Sequence, residues 1–186
     1  MNAISTPRLQ LVPVTLDNAG ELWDVLQLPD LRTFQDLPEM NKHEFERLVA
    51  ARPTEIERGS SGRFEWLVYL GGIAEPVGWV SLRIGDRSTT TAEVGYSVTQ
   101  KYRGRGIATE AVRALVNEGF RSDHIRRVRA YCVPENTPSR ALLLRIGFRS
   151  DGVLPHGATV RGRAVDVLAY VVERDEWQRM RAAVTA

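Results

Sequence analysis

Three runs rich in β-branched and aromatic residues, FEWLVYL (64–70), VGWVSLRI (77–84) and AEVGYSV (92–98), follow one another across the turns GGIAEP and GDRSTT. Runs of this composition bounded by turn signals read as strands, and connections this short join antiparallel neighbours. The chain is therefore committed to a sheet before it reaches its most unusual stretch, KYRGRGIATEA (101–111). From Ile107 the apolar positions Ile107, Ala111, Ala114 and Leu115 fall at helical spacing, so Gly104 and Gly106 stand between a strand and the first turn of a helix.

The flanks continue the alternation of strands and helices. RLQLVPV (8–14) alternates as a half-buried strand, and Thr15 or Asp17 is placed to cap a helix running towards Leu26. PDLRTFQDLP breaks the pattern, and residues 41–58 read as a helix with Phe45, Leu48, Val49 and Ile56 on one face, ended by GSSG (59–62). After the glycine stretch, RRVRAYCV (126–133) reads as a strand, TPSRALLLRIGF as a helix stopped by Gly147, FRSDGVL as a strand, and VDVLAYVV (165–172) as the last long strand. No repeat, low-complexity tract or Pro/Gly linker divides the 186 residues, which predicts one α/β domain over 1–186 with a sizeable core.

Charge narrows the partners. The net charge of +2 hides an imbalance: residues 1–60 hold ten acids against six bases, net −4, which leaves +6 for the remainder. That excess is too dilute to indicate a nucleic acid without stacking aromatics or a known motif. No apolar run approaches a membrane span, and MNAISTPRLQLVPV has neither a basic start nor a long apolar stretch, so a cytoplasmic protein with no membrane partner is expected. The single Cys132 excludes an internal disulfide and reads as packing, while His43, His124 and His156 show no ligand spacing, so no metal is expected. Trp23, Trp66, Trp79 and Trp177 read as core or rim, with one of them available to wall a pocket.

A strand, a glycine turn and a helix bring free backbone N–H groups and the positive end of a helix dipole to one point, an arrangement suited to phosphate. Two familiar versions of the device do not fit. The Walker loop requires Gly-Lys-Ser/Thr, whereas Ile107 and Ala108 follow Gly106; the dinucleotide fingerprint requires a third glycine where Thr109 stands. On these residues alone, a tight turn bearing surface arginines remains an open alternative.

KYRGRGIATEA, a strand, then PENTPSRALLLRIGF together resemble the GNAT superfamily of acyl-CoA-dependent N-acyltransferases. The family's pyrophosphate loop, Arg/Gln-x-x-Gly-x-Gly/Ala, is matched by Lys101-Tyr102-Arg103-Gly104-Arg105-Gly106, with a departure at Lys101. Its second signature, Asn-x-x-Ala/Ser followed by Gly-Phe, is matched by Asn136, Ser139, Gly147 and Phe148. The resemblance spans roughly residues 6–178 and is nearest to the ribosomal-protein N-terminal acetyltransferase branch, through TPRLQL, GYSV, GIATEA and DEW.

The resemblance implies a mixed, mostly antiparallel sheet with a splayed parallel pair, residues 92–98 and 126–133, and helices on both faces. It implies acetyl-CoA as co-substrate, its pyrophosphate on the amides of residues 103–108, with Arg103, Arg105 or Arg140 supplying charge. The implied cofactor contacts are Tyr96, Ser97 and Val98 on the splayed strand, Arg103, Gly104, Arg105, Gly106, Ile107, Ala108 and Thr109 in the loop, and Asn136, Ser139 and Arg140 beyond it. The Val98 N–H is the implied oxyanion donor. Many relatives protonate the departing thiolate with a tyrosine where this chain has Leu143; in the ribosomal-protein branch a serine at the position of Ser139 is proposed instead. Ser139 also reads as a helix serine bonded to its own backbone or merely touching the cofactor. Glu93 is implied as acceptor of the amine proton, directly or through water, with a surface ion pair as the alternative. Alternation puts Glu93 on the face opposite Tyr96 and Val98, so both flank the reaction only if a bulge intervenes.

The implied acceptor is a primary amine, foremost a protein or peptide N-terminus, with an aminoglycoside, polyamine or metabolite as rival. A non-catalytic acyl-CoA-binding module is the alternative of another class, and a homodimer stays open. The amine enters opposite the cofactor, so the acidic first sixty residues, Asp36 and Glu39 among them, are expected to steer cationic amines inwards.

Overall fold

The computed structural model describes residues 1–34, 39–56, 59–85 and 89–185. Its centre is an eight-stranded sheet built from β1 (Ile4–Ser5), β2 (Leu9–Pro13), β3 (Gly62–Leu70), β4 (Gly78–Ile84), β5 (Thr91–Val98), β6 (Arg127–Cys132), β7 (Arg149–Val160) and β8 (Arg163–Glu173), in the order β1-β2-β3-β4-β5-β6-β8-β7. Every pairing is antiparallel except β5 with β6.

That parallel pair is short. It runs from Thr91↔Arg127 to Glu93↔Arg129 and stops, because β6 stays paired with β8 along Arg127–Cys132 while β5 stays paired with β4 along Ala92–Val98. Each strand follows its antiparallel partner, and the two diverge. The β4–β5 register is unbroken from Ile84↔Ala92 to Gly78↔Val98, so the bulge that strand alternation called for is not there.

Strand pleating sorts the core into two layers. Phe64, Trp66, Val80, Leu82, Ala92 and Val94 point to one face, where they meet the helix α3 (Ile107–Arg121). The sequence places Ile107, Ala111, Ala114 and Leu115 along one side of α3, and all are buried against this face. On the same side lie α4 (Thr137–Ile146), which contributes Leu143 and Ile146, and α5 (Arg174–Thr185), which contributes Trp177. Leu67 and Trp79 point to the other face and are covered by α1 (Ala19–Leu26) and α2 (Lys42–Ala50) through Leu22, Val25, Phe45 and Val49. Truncating a fully buried leucine such as Leu143 costs about 2–5 kcal/mol.

Several local expectations need correction. Neither Thr15 nor Asp17 caps α1: Asn18 stands at the cap, and its side chain accepts from the Thr15 N–H and donates to the Pro13 carbonyl. The second helix ends at Ala50, ahead of Pro53; Leu48 is exposed, and Ile56 lies beyond the helix. β1 and α5 were not foreseen, and β7 runs well past Leu154. It does so through register shifts between Ser150 and Val153 and between Leu154 and Ala158. Gly147 stops α4 at φ 103, and a Cβ there would collide with Met180 of α5, so the glycine serves the cap and the packing together. Among the described residues no helix is long and apolar enough to cross a membrane.

Candidate active site

Hydrogen bonds on its two edges fix which way β5 turns its backbone. The Thr99 N–H donates to the Val77 carbonyl on the β4 side, and the Thr90 carbonyl accepts from the Arg126 N–H on the β6 side. Odd-numbered residues therefore direct their N–H and C=O groups to β4, and even-numbered residues to β6. Past Glu93 there is no paired β6 residue, so the backbone groups of Val94, Tyr96 and Val98 face an opening. The Val98 carbonyl is taken by Arg103 Nε at 2.8 Å, which leaves its N–H directed into the gap. Ser97, expected to hold the cofactor by its backbone, instead pairs with Trp79 of β4. A cleft of about 1260 Å³ occupies the opening, reaching from α1 and α2 on one face of the sheet to the starts of α3 and α4 on the other.

The glycine stretch forms one mouth of this cleft. A 3-10 turn, Gln100–Tyr102, consumes the Arg103 N–H on the Gln100 carbonyl, so the set of free amides starts one residue later than expected. Gly104 and Gly106 have φ 74 and 75, the left-handed region that glycine enters without a Cβ clash. Gly106 is the N-cap of α3 and has no side chain to close it; the first helical bond is Glu110 N–H to Gly106 O at 3.0 Å. The amides of Ile107, Ala108 and Thr109 therefore have no partner within the helix, and the helix dipole adds its positive end.

The arginines around the loop divide unexpectedly. Arg103 points away from it: beyond Val98, its guanidinium meets Asp30 Oδ2 at 2.8 Å, and the same oxygen accepts the Gln100 N–H at 2.8 Å. It ties the loop to the 3-10 turn Pro29–Thr33 rather than offering its charge to a phosphate. Arg140 Nη1 donates to the Pro134 carbonyl at 3.1 Å, and its Nε is buried without a partner among the described residues. Arg105 is exposed, its guanidinium 5.6 Å from the ring of buried Tyr102. From the far end of the chain, Arg8 donates to the Arg105 carbonyl at 2.9 Å and to Glu110 at 2.7 Å. Burial works to raise the Glu110 pKa, but hydrogen bonds from Thr6 and Arg8 outweigh it and hold the carboxyl below its ordinary value. Asp30 and Arg8 were not singled out from the sequence; Arg8 lay within the TPRLQL match, whereas Asp30 carries no local signal.

At the waist of the cleft two hydroxyls meet. Ser139 Oγ lies 2.8 Å from Tyr96 Oη, so its side chain is turned across the opening and not onto its own helix. Asn136 caps α4, its Oδ1 accepting the Ser139 N–H at 3.2 Å, which fixes the turn that presents the serine. Burial pushes the Tyr96 phenol pKa well up, against the hydrogen bond it shares with Ser139, so the group stays protonated. Burial likewise raises the neighbouring Cys132 thiol. The Tyr96 phenol was missed, since sequence reasoning used only its backbone. Leu143, where many relatives carry a tyrosine, is fully buried core.

The opposite mouth is walled by Trp23, Phe45 and Leu48 and floored by two cross-strand rows, Glu65–Ser81–Gly95 and Arg63–Arg83–Glu93. Glu65 is buried and contacts Arg52, with Arg63 at 3.5 Å. Burial, then repulsion from Arg63, lowers the Arg52 pKa to about 10. Glu93 lies 3.8 Å from Arg83, on the face opposite Tyr96, so the ion pair read as its alternative is present. A Cβ at Gly95 would come 2.8 Å from Ser81 Oγ and close on the Trp79 ring, so glycine keeps the passage beside Trp79 open. Among the described acids of the first sixty residues, Asp30 lines the cleft and is engaged by Arg103; Asp36 lies outside the described residues.

A family model described as an acetyltransferase (GNAT) domain matches residues 8–149. An uncharacterized N-acetyltransferase of Bacillus licheniformis is 28% identical over 178 residues, covering 95% of this chain and 99% of that one. A [ribosomal protein uS5]-alanine N-acetyltransferase of Escherichia coli K12 is 32% identical over 84 residues, 45% of this chain and 43% of that one. The solved structure of a ribosomal L7/L12 alpha-N-protein acetyltransferase in complex with coenzyme A matches with a TM-score of 0.78 at 20% identity, over 94% of this chain and 99% of that one.

Proposed function

Because the chain belongs to the GNAT acetyltransferase family, we propose that it moves an acetyl group from acetyl-CoA to a primary amine, foremost a protein or peptide N-terminus, by direct attack in a ternary complex. The observation that carries this reading is the cleft through the splayed β5–β6 pair, which joins a mouth of free amides to a second mouth on the far face of the sheet. Two substrates can thus meet without either blocking the other's entry. The relation to enzymes named as acetyltransferases of ribosomal proteins favours a peptide acceptor over a small amine.

The amides of residues 104–109 receive the pyrophosphate, with Arg105 the arginine nearest to free. The even-numbered backbone groups of β5 receive the pantetheine arm, and the Val98 N–H meets the carbonyl oxygen as it gains charge. The amine attacks the thioester carbon, the carbon–sulfur bond breaks, and Ser139 donates a hydrogen bond to the departing sulfur while Tyr96 donates to Ser139. An α-amine titrates near 8 and a thiol near 8.5, so the proton released by one suffices for the other without a strong acid. Before attack the ammonium sheds one proton through water to Glu93; the nitrogen sheds a second as its bond to carbon forms, and that proton goes to the sulfur. The test is release of coenzyme A thiol when amines are added to protein and acetyl-CoA. Release with peptides supports the reading; binding of acetyl-CoA with no release to any amine replaces it with a non-catalytic binding module.

A further inference from the structure

Among the described residues, charge on the amine side of the cleft is opposite in sign to what the acidic first sixty residues led one to expect. Arg63 and Arg83 stand directly opposite one another on β3 and β4, an arrangement that like charges disfavour unless anions lie between them. Glu93 supplies one carboxylate, 3.8 Å from Arg83. Glu65 supplies the other, but it is buried, with one oxygen on Arg52 and the second 3.5 Å from Arg63. Among the described residues, three guanidiniums therefore share two carboxylates at the cleft floor. Arg63 and Arg83 keep 47% and 58% of their side-chain surface exposed there, and each guanidinium has five N–H donors, more than these contacts occupy. Burial lowers the Arg63 pKa, with Glu93 opposing the fall and Arg83 adding to it.

Resting on the acetyltransferase reading, the geometry points to an acceptor peptide with an acidic residue close behind its free amine, the acid held by Arg63 and Arg83. Along β5 the Glu93 row lies three residues from Tyr96, about 10 Å at strand spacing. An extended peptide covers that distance in about three residues, which assigns the acid to the second to fourth position. Trp23, Phe45 and Leu48 leave an apolar wall for the intervening side chains. Polyamines and aminoglycosides, cationic throughout, meet the excess guanidinium and are disfavoured.

Peptides of one sequence carrying Asp, Asn or Lys at the second to fourth positions test this by kcat/KM from thiol release at low salt. The expected order is Asp, then Asn, then Lys, with about fivefold between the ends, as for partly exposed ion pairs. Added salt should narrow the spread. Arg83→Glu should invert the order while acetyl-CoA Kd, measured by calorimetry, stays put; Arg63→Glu serves if that variant does not fold. Equal rates, or preference for Lys in the unaltered protein, overturn the inference. Should no peptide release thiol, the peptide-acetylation reading fails by itself, and quenching of tryptophan fluorescence by the same peptides decides the anion site. Tighter binding of the Asp peptide that Arg83→Glu abolishes supports it; equal or absent binding overturns it.

Discussion

The two mouths of the cleft are made of different material. The mouth proposed for the cofactor is backbone: amides at the start of α3, the N–H of Val98, and two glycines at positive φ that leave them bare. The mouth proposed for the amine is side chain: arginines and glutamates from β3, β4 and β5, brought together by cross-strand register. Backbone donors are the same whatever the sequence, so that mouth can hold an invariant ligand while the other is free to vary its preference. Asp30 belongs to neither alone, since it fastens the amine-side turn to Arg103 and Gln100 of the loop.

Gly106→Val should break the division most visibly. A branched residue at φ 75 is strained by about 1–2 kcal/mol, and its methyl groups cover the amides. Acetyl-CoA Kd is expected to rise more than about tenfold with the fold retained and peptide binding, read by fluorescence, unmoved; calorimetry showing the original affinity would remove the loop from the site. Next, Ser139→Ala is expected to lower kcat by about tenfold, the scale of one hydrogen bond to a developing charge, with acceptor KM little altered. Turnover equal to the unaltered protein would return Ser139 to a cofactor contact. Asp30→Ala sharpens the comparison from the other direction: it alone should weaken both substrates, acetyl-CoA Kd and acceptor KM each rising about threefold. A change in only one would show the tie to be local. Smallest is Glu93→Gln, expected to reduce kcat/KM only below the amine pKa of about 8, where a base is still needed. A loss that is the same above that pH argues for a binding role.

The cofactor side was legible because its cues are contiguous. Gly104 and Gly106, and Asn136 through Phe148, each lie within one turn or one helix, and the chemistry they support follows from local conformation. The amine side was not, since Glu65, Ser81 and Gly95 become neighbours only when three strands settle into register. Summing charge along the first sixty residues does not locate it: among the described residues Asp30 faces Arg103, and the arginines of the floor come from later strands and from Arg52. The helix read to residue 58 failed for a simpler reason, as Pro53 disfavours helical geometry before it and Ile56 matched the period by accident. Alternation along β5 was read correctly: no bulge brings Glu93 and Tyr96 to one face, and the sheet opens between β5 and β6 instead.

The two margins of the sheet also govern how copies of this protein behave at high concentration. β1 at one margin is two residues long, and β7 at the other is interrupted twice in its register, so neither presents a straight row of unpaired backbone groups. A newcomer's strand finds no template to lengthen, even where Val153 and Leu154 lie open at 58% and 47%. Both margins of the sheet thus discourage edge-to-edge pairing, the first step from a native sheet towards a fibril.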